Sequence, residues 1–156
     1  MSAASSLQDE RRHLRRYPAA ELEVRVRPKR QWFGQGEVVE AHDFTRSGVG
    51  ITSSQKLKTG QRVQVDLILR LDRGEIHQSR LIAVVQNARS DGEHWRCGLR
   101  FDYNANRHMK ALSTQARVGR IEGILERIQK LKARTMGGDQ LLKAYHREKS
   151  KDGQGN

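Results

Sequence analysis

Residues 61–71 read Gln-Arg-Val-Gln-Val-Asp-Leu-Ile-Leu-Arg-Leu. Val63, Val65, Leu67, Leu69 and Leu71 fall at every second position, with Arg62, Gln64, Asp66, Ile68 and Arg70 between them. A strand points successive side chains to opposite faces, so this spacing gives one apolar face and one mostly polar face, the mark of a half-buried antiparallel strand. The alternation recurs on both sides of this stretch. Leu22, Val24 and Val26 alternate with Glu23, Arg25 and Arg27, and Trp95, Cys97, Leu99 and Phe101 alternate with Arg96, Gly98 and Arg100. Further strands are expected near 36–42, 49–52 and 75–88, and Asp72-Arg73-Gly74 and Ser90-Asp91-Gly92 supply turns between them. Six strands on such short connections, with no helix to cover a flat sheet, favour closure. The expected fold is mainly β: a six-stranded antiparallel β-barrel over residues 18–105.

After Asp102 the period changes. Leu112, Ala116, Val118, Ile121, Leu125, Ile128 and Leu131 recur mostly at spacings of three and four, which predicts a long C-terminal α-helix over 106–134. Gly119 and Gly123 weaken it, each by about 1 kcal/mol relative to Ala. Gly137-Gly138 should end it, leaving a short helix near 140–147 and a disordered tail in the remainder of 135–156. A helix of this length is longer than such a barrel is wide. Its far half is therefore expected to find a partner: the 140–147 segment, a second copy of the chain in a homo-oligomer, or a different protein. On that division of labour, ending the chain after Arg117 should leave the barrel intact.

The composition limits the function. The 156 residues suit one domain with appendages, and 30 Lys plus Arg against 18 Asp plus Glu give a net charge of +12. Residues 105–156 carry 12 of those basic residues against 5 acidic ones. No apolar run reaches the ~18 residues of a membrane span. The first residues, 1–17, lack a signal peptide's apolar stretch and read as a basic arm, so a cytoplasmic protein is expected. Cys97 is the only cysteine and the six histidines are scattered, which excludes an intramolecular disulfide and offers no metal-ligand spacing. No Ser, His and Asp set or Cys97 and His pair has local support, so an enzyme is not expected and no cofactor is called for.

Two clusters carry chemistry. Arg11, Arg12, Arg15 and Arg16 crowd the sequence RRHLRRYP before the first strand, and Asp43, Thr45, Ser47, Gly48 and Gly50 mark the sequence DFTRSGVGI. Alone, the first is a solvated basic arm and the second a turn. Together they suggest more. Guanidinium groups donate in pairs to phosphate oxygens and to the O6 and N7 edge of guanine. A carboxylate such as Asp43 accepts from guanine's ring N–H and amino group, the Thr45 hydroxyl can donate or accept, and Gly48 lets backbone approach closely. The combination points to a guanine nucleotide, and with no P-loop the chain is not an ordinary GTPase.

The sequence resembles the PilZ domain family, bacterial receptors for cyclic di-GMP, in which an RxxxR arm precedes a six-stranded barrel and a D/N-x-S-x-x-G motif follows about thirty residues later. Arg12-His13-Leu14-Arg15-Arg16 fits the arm, with Arg11 as the basic residue before it. Asp43-Phe44-Thr45-Arg46-Ser47-Gly48 fits the second motif, and Gly98-Leu99-Arg100-Phe101 fits the end of the barrel. Thr45 stands where Ser is usual, and Gln86 stands where many members carry tryptophan. The resemblance implies a non-enzymatic cyclic di-GMP receptor. In it Arg12 and Arg16 clamp phosphates and guanine faces, Arg11 assists, Asp43 takes the guanine donors, and Thr45 and Gly48 line the other side. The arm closes over the ligand and alters a surface read by an effector protein. The alternatives are a basic β-barrel that binds nucleic acid, which sparse aromatics disfavour, and a PilZ-like adaptor that binds only protein.

Overall fold

The computed structural model describes the backbone of residues 17–18, 22–28 and 36–150, with side chains for 22–28 and 36–134. The strands are β1 (Tyr17–Pro18), β2 (Leu22–Pro28), β3 (Glu37–Thr45), β4 (Gly48–Ser53), β5 (Arg62–Leu71), β6 (Gly74–Asp91) and β7 (His94–Phe101). Every pairing is antiparallel. Hydrogen bonding runs β3-β2-β5-β6-β7-β4 and returns from β4 to β3, which closes the six-stranded barrel. The two-residue β1 adds to β3, setting Tyr17 against Phe44 and Pro18 against Asp43.

The alternation that suggested strands also sets the core. Val63, Val65, Leu67 and Leu69 of β5 are fully buried, and Leu22, Val24 and Val26 of the neighbouring β2 lie beside them on the inner face. Leu71, expected on the same face, is exposed because it sits at the rim beside the Asp72-Arg73 turn. Phe44 and Phe101 pack with ring centroids 6.1 Å apart, and Tyr103 meets Phe101 edge-on at 6.3 Å. At the outer surface Glu23 accepts from Arg70 at 2.6 Å and from Arg25 at 2.9 Å, and the two guanidiniums hold its carboxyl below the usual glutamate range.

The C-terminal segment departs from expectation in three ways. It begins as a short α1 (Arg107–Lys110), whose first turn is capped by the Asn106 side chain accepting from Met109 N at 2.8 Å. Ala111 then takes an extended conformation before α2 (Leu112–Ser150). The break lets Met109 reach the core, where it is fully buried and its sulfur lies 3.2 Å from Ile82 N. Second, α2 runs through Gly137-Gly138 instead of ending there. Two glycines cost about 2 kcal/mol of helix propensity, but no proline follows, and Gln140, Leu141, Leu142, Lys143 and Ala144 are strong helix formers.

Third, the division between barrel and helix falls later than expected. Val118, Ile121 and Leu125 belong to the barrel's core cluster, and the chain divides into compact units after Leu125. The apolar stripe at 118–125 is thus already covered by the barrel. In the second unit the helix carries a Glu126 to Lys130 ion pair of 3.2 Å, one turn apart, and an exposed Leu131.

This packing overturns the expectation for truncation. Ending the chain after Arg117 removes three buried side chains, each contributing about 1.5–3 kcal/mol. That variant should lose cooperative urea unfolding, whereas ending it after Arg127 should keep the wild-type midpoint.

Candidate ligand-binding site

β3 and β4 are joined by a two-residue turn, Arg46-Ser47, so Asp43 and Thr45 lie on a strand and not in a loop. Phe44 between them points into the core with no exposed surface, which turns both polar neighbours to the outer face. Register then builds two rows across the barrel wall. One is Thr45, Gly48, Arg100 and Val84; the other is Asp43, Gly50, Gly98 and Asn87. The middle of the second row has no side chains, so the backbone of β4 and β7 forms a flat floor there.

Polar groups lean over that floor. A Cβ at Gly50 would stand 2.9 Å from an Asp43 carboxylate oxygen, and Gly98 N donates to Asn87 Oδ1 at 3.1 Å. Gly48 serves a different purpose. A Cβ there would come within 2.1 Å of the Leu99 carbonyl oxygen, so no side chain fits between β4 and β7 at this point. Thr45 Oγ1 accepts from Ser47 N at 3.1 Å, which stiffens the turn and leaves the hydroxyl proton to donate elsewhere.

Two β-bulges wall the floor. Register slips between Ala41 and Asp43 on β3, making His42 the extra residue, and between Val85 and Asn87 on β6, making Gln86 the extra residue. A bulge bends its strand and re-aims side chains, often beside a binding site. Here they flank a hollow of about 390 Å³ whose lining includes His42, Asp43, Gly50, Gln86, Arg89 and Arg96. A smaller hollow of about 150 Å³ lies beside Thr45, Gly48 and Arg100, and Gln86 and Gly98 line both. His42 Nε2 hydrogen bonds with Thr52 Oγ1. Asn87, Arg89 and Arg96 were not among the expected site residues; Gln86 was marked only as standing where many family members carry tryptophan, and the one sequence trace of Asn87 is the break in alternation after Val85.

The turn is also tied to the helix. Arg46 donates from its backbone N to Glu122 Oε2 at 2.7 Å and from Nε to Oε1 at 2.8 Å. The Tyr103 hydroxyl donates to the Arg46 carbonyl oxygen. Glu122 raises the Arg46 guanidinium above its usual range, and burial pushes the Tyr103 phenol up to about 12. Gly119 leaves the guanidinium room against α2, with a Cβ there 3.7 Å away. Among the described residues no group of three or more His, Cys, Asp and Glu could hold a metal ion, and no helix is long and apolar enough to cross a membrane.

Of the expected site residues, Asp43, Thr45 and Gly48 come together on this outer face. Arg11, Arg12 and Arg16 lie outside the described residues. The chain that follows Arg16 is described, and it pairs with Phe44 and Asp43.

The fold is a small closed β-barrel with a polar hollow on its outer face. The chain belongs to the PilZ domain family, whose model matches residues 9–117 and so spans both motifs. Among solved structures it is similar to K. pneumonia MrkH in its apo state, with a TM-score of 0.53, 20% identity and coverage of 75% of this chain and 50% of that one. It is similar also to the K. pneumonia MrkH-c-di-GMP complex, with a TM-score of 0.50, 19% identity and coverage of 76% and 53%. A third similar structure is the Bacillus subtilis inhibitor of motility MotI/DgrA, with a TM-score of 0.46, 16% identity and coverage of 67% and 49%. The chain spans about half the length of these proteins. No curated protein matches it in sequence.

The two strand glycines of β4 should separate in their effects. Gly48→Ala has backbone in its way and should lower stability by roughly 1–3 kcal/mol or more in urea unfolding. Gly50→Ala meets only the movable Asp43 carboxylate, so its unfolding midpoint should stay near wild type while ligand affinity falls.

Proposed function

We propose that the chain is a non-enzymatic receptor for cyclic di-GMP, bound on the outer face of β3, β4, β7 and β6. The observation that carries this reading is the β1–β3 pairing. It sets the chain immediately after Arg16 against the strand that holds Asp43 and Thr45, beside a floor kept bare by Gly50 and Gly98. Family membership and a fold relative captured as a c-di-GMP complex support the choice of ligand.

In this reading Arg12 and Arg16 donate to the phosphates and guanine faces, and Arg11 extends the contact to a second, stacked ligand molecule. Asp43 accepts from the guanine N–H groups, and Thr45 and Gly48 border the other side. Cyclic di-GMP is a ligand and not a cofactor, and the protein works in the cytoplasm. Closure of the arm over the ligand would reshape the β3–β4 turn and, through Arg46 and Glu122, the face of α2 that an effector protein reads. The helix beyond Leu125 is the segment through which copies of the chain would associate; sedimentation of a chain ended after Arg127 tests this.

Calorimetry with cyclic di-GMP, and with GTP as control, tests the ligand. A charge-assisted hydrogen bond contributes roughly 1.5–3 kcal/mol. Arg16→Ala should therefore weaken binding about 10-fold or more, Arg134→Ala should change it little, and Arg11→Leu should lower the stoichiometry from two toward one. Equal losses at Arg16 and Arg134 would reveal general charge attraction and defeat the assignment.

A further inference from the structure

Arg89 on β6 and Arg96 on β7 are direct cross-strand partners. Like charges placed opposite one another destabilise a sheet, and the rest of the row does not neutralise them. The other neighbour of Arg96 is Thr52, whose own partner is Glu40. Both are turned to His42, since Thr52 Oγ1 hydrogen bonds its Nε2 and the Glu40 carboxylate lies 4.0 Å from its Nδ1. Among the described residues neither Arg89 nor Arg96 has an ion pair or hydrogen bond from its side chain. Arg27 is paired with Asp66, Arg62 with Asp102, and Arg70 with Glu23 and Glu75; Arg80 and Arg100 share the lack of a side-chain ion pair, but neither stands directly opposite another arginine in the sheet.

The unneutralised pair lies at one particular place. Both residues line the larger hollow, with the Gly50 and Gly98 floor beside them and Asp43 on the opposite wall. On β7, Arg96 is two residues from Gly98 on the same face, about 6.7 Å along the strand. A concave site with a carboxylate on one wall and two adjacent guanidiniums at one end is bipolar. It matches a ligand that carries hydrogen-bond donors at one edge and a phosphate a short distance away, and guanidinium forks suit phosphate oxygens in geometry as well as charge.

We propose that Arg89 and Arg96 form a phosphate clamp built on the barrel itself, gripping a phosphate of the guanine nucleotide whose base edge is taken by Asp43. The inference rests on the receptor reading above and adds a second anion site to it, independent of the N-terminal arginines. Donors carried on paired strands are in place before the ligand arrives, so little ordering is needed when they engage. The cross-strand repulsion is the cost of holding two cations ready for an anion.

The test is calorimetry of the full chain with cyclic di-GMP, comparing wild type, Arg89→Gln, Arg96→Gln, the double variant, and Arg73→Gln in the β5–β6 turn as a charge-matched control. Each clamp variant should bind about 10-fold more weakly or worse, and the double variant should lose less than the product of the two, because both side chains act on one phosphate. Without ligand, their thermal midpoints should equal or exceed that of wild type, which a purely structural role for the pair would not produce. Arg73→Gln should bind as wild type. Wild-type affinity in both single clamp variants overturns the clamp and leaves the receptor reading standing. An equal loss in Arg73→Gln overturns it in favour of diffuse attraction. A wild-type chain that takes up no cyclic di-GMP overturns the receptor reading and the clamp together.

Discussion

Closure of the barrel depends on β3 bonding along both of its edges. One edge meets β2 and, further along, β1; the other meets β4. The last pairing turns through only Arg46 and Ser47, and on the other edge of β4 Gly48 brings the strand against the Leu99 carbonyl of β7 with no room for a side chain. The strand pair that closes the fold is therefore the pair that carries the outward-facing Asp43 and Thr45. Site and closure share their backbone, so the position of those side chains is as firm as the barrel itself.

What could be read from the sequence follows from phase. β2, β5 and β7 alternate without interruption, and their apolar positions are the buried ones: Val24 and Val26, Val63 to Leu69, Cys97 to Phe101. β3 and β6 change phase midway. On β3 the inward residues run Val39, Ala41 and then Phe44; on β6 they run Leu81, Ala83, Val85 and then Ala88. Strict alternation misplaces the ends of such strands, and it read Asp43 and Thr45 as turn residues. Arg89 and Arg96 gave no local signal, because two arginines seven residues apart become neighbours only once the hairpin register is known. The helix was legible as a period but not as a partner: spacing shows that Val118, Ile121 and Leu125 share a face, and it cannot show that the barrel covers it.

The Arg46 to Glu122 contact joins these parts in one compact unit. Both its donors come from the residue between two site positions, and its acceptor sits one helical position from the buried Ile121. The pair is an exposed arginine against a largely shielded carboxylate, with side-chain exposures of 66% and 16%, so its worth as a stabilising ion pair is small. Its value is geometric. A carboxylate that accepts from the backbone and the side chain of the same turn residue constrains the direction of the whole hairpin, with Tyr103 holding the carbonyl on the other side.

The two bulges at His42 and Gln86 give the site an unusual kind of protection. Each is one residue in length, and one residue is the distance that swaps the inside and outside of a strand. Deleting Gln86 would leave the hollow's wall short and would also turn Ala88 and every residue beyond it in β6 to the wrong side. Point substitutions can therefore retune the recognition surface one side chain at a time, whereas insertions and deletions in β3 or β6 strike site and core in the same event. Changes of length fit in the turns, whereas the wall of the hollow accommodates substitution but not insertion or deletion.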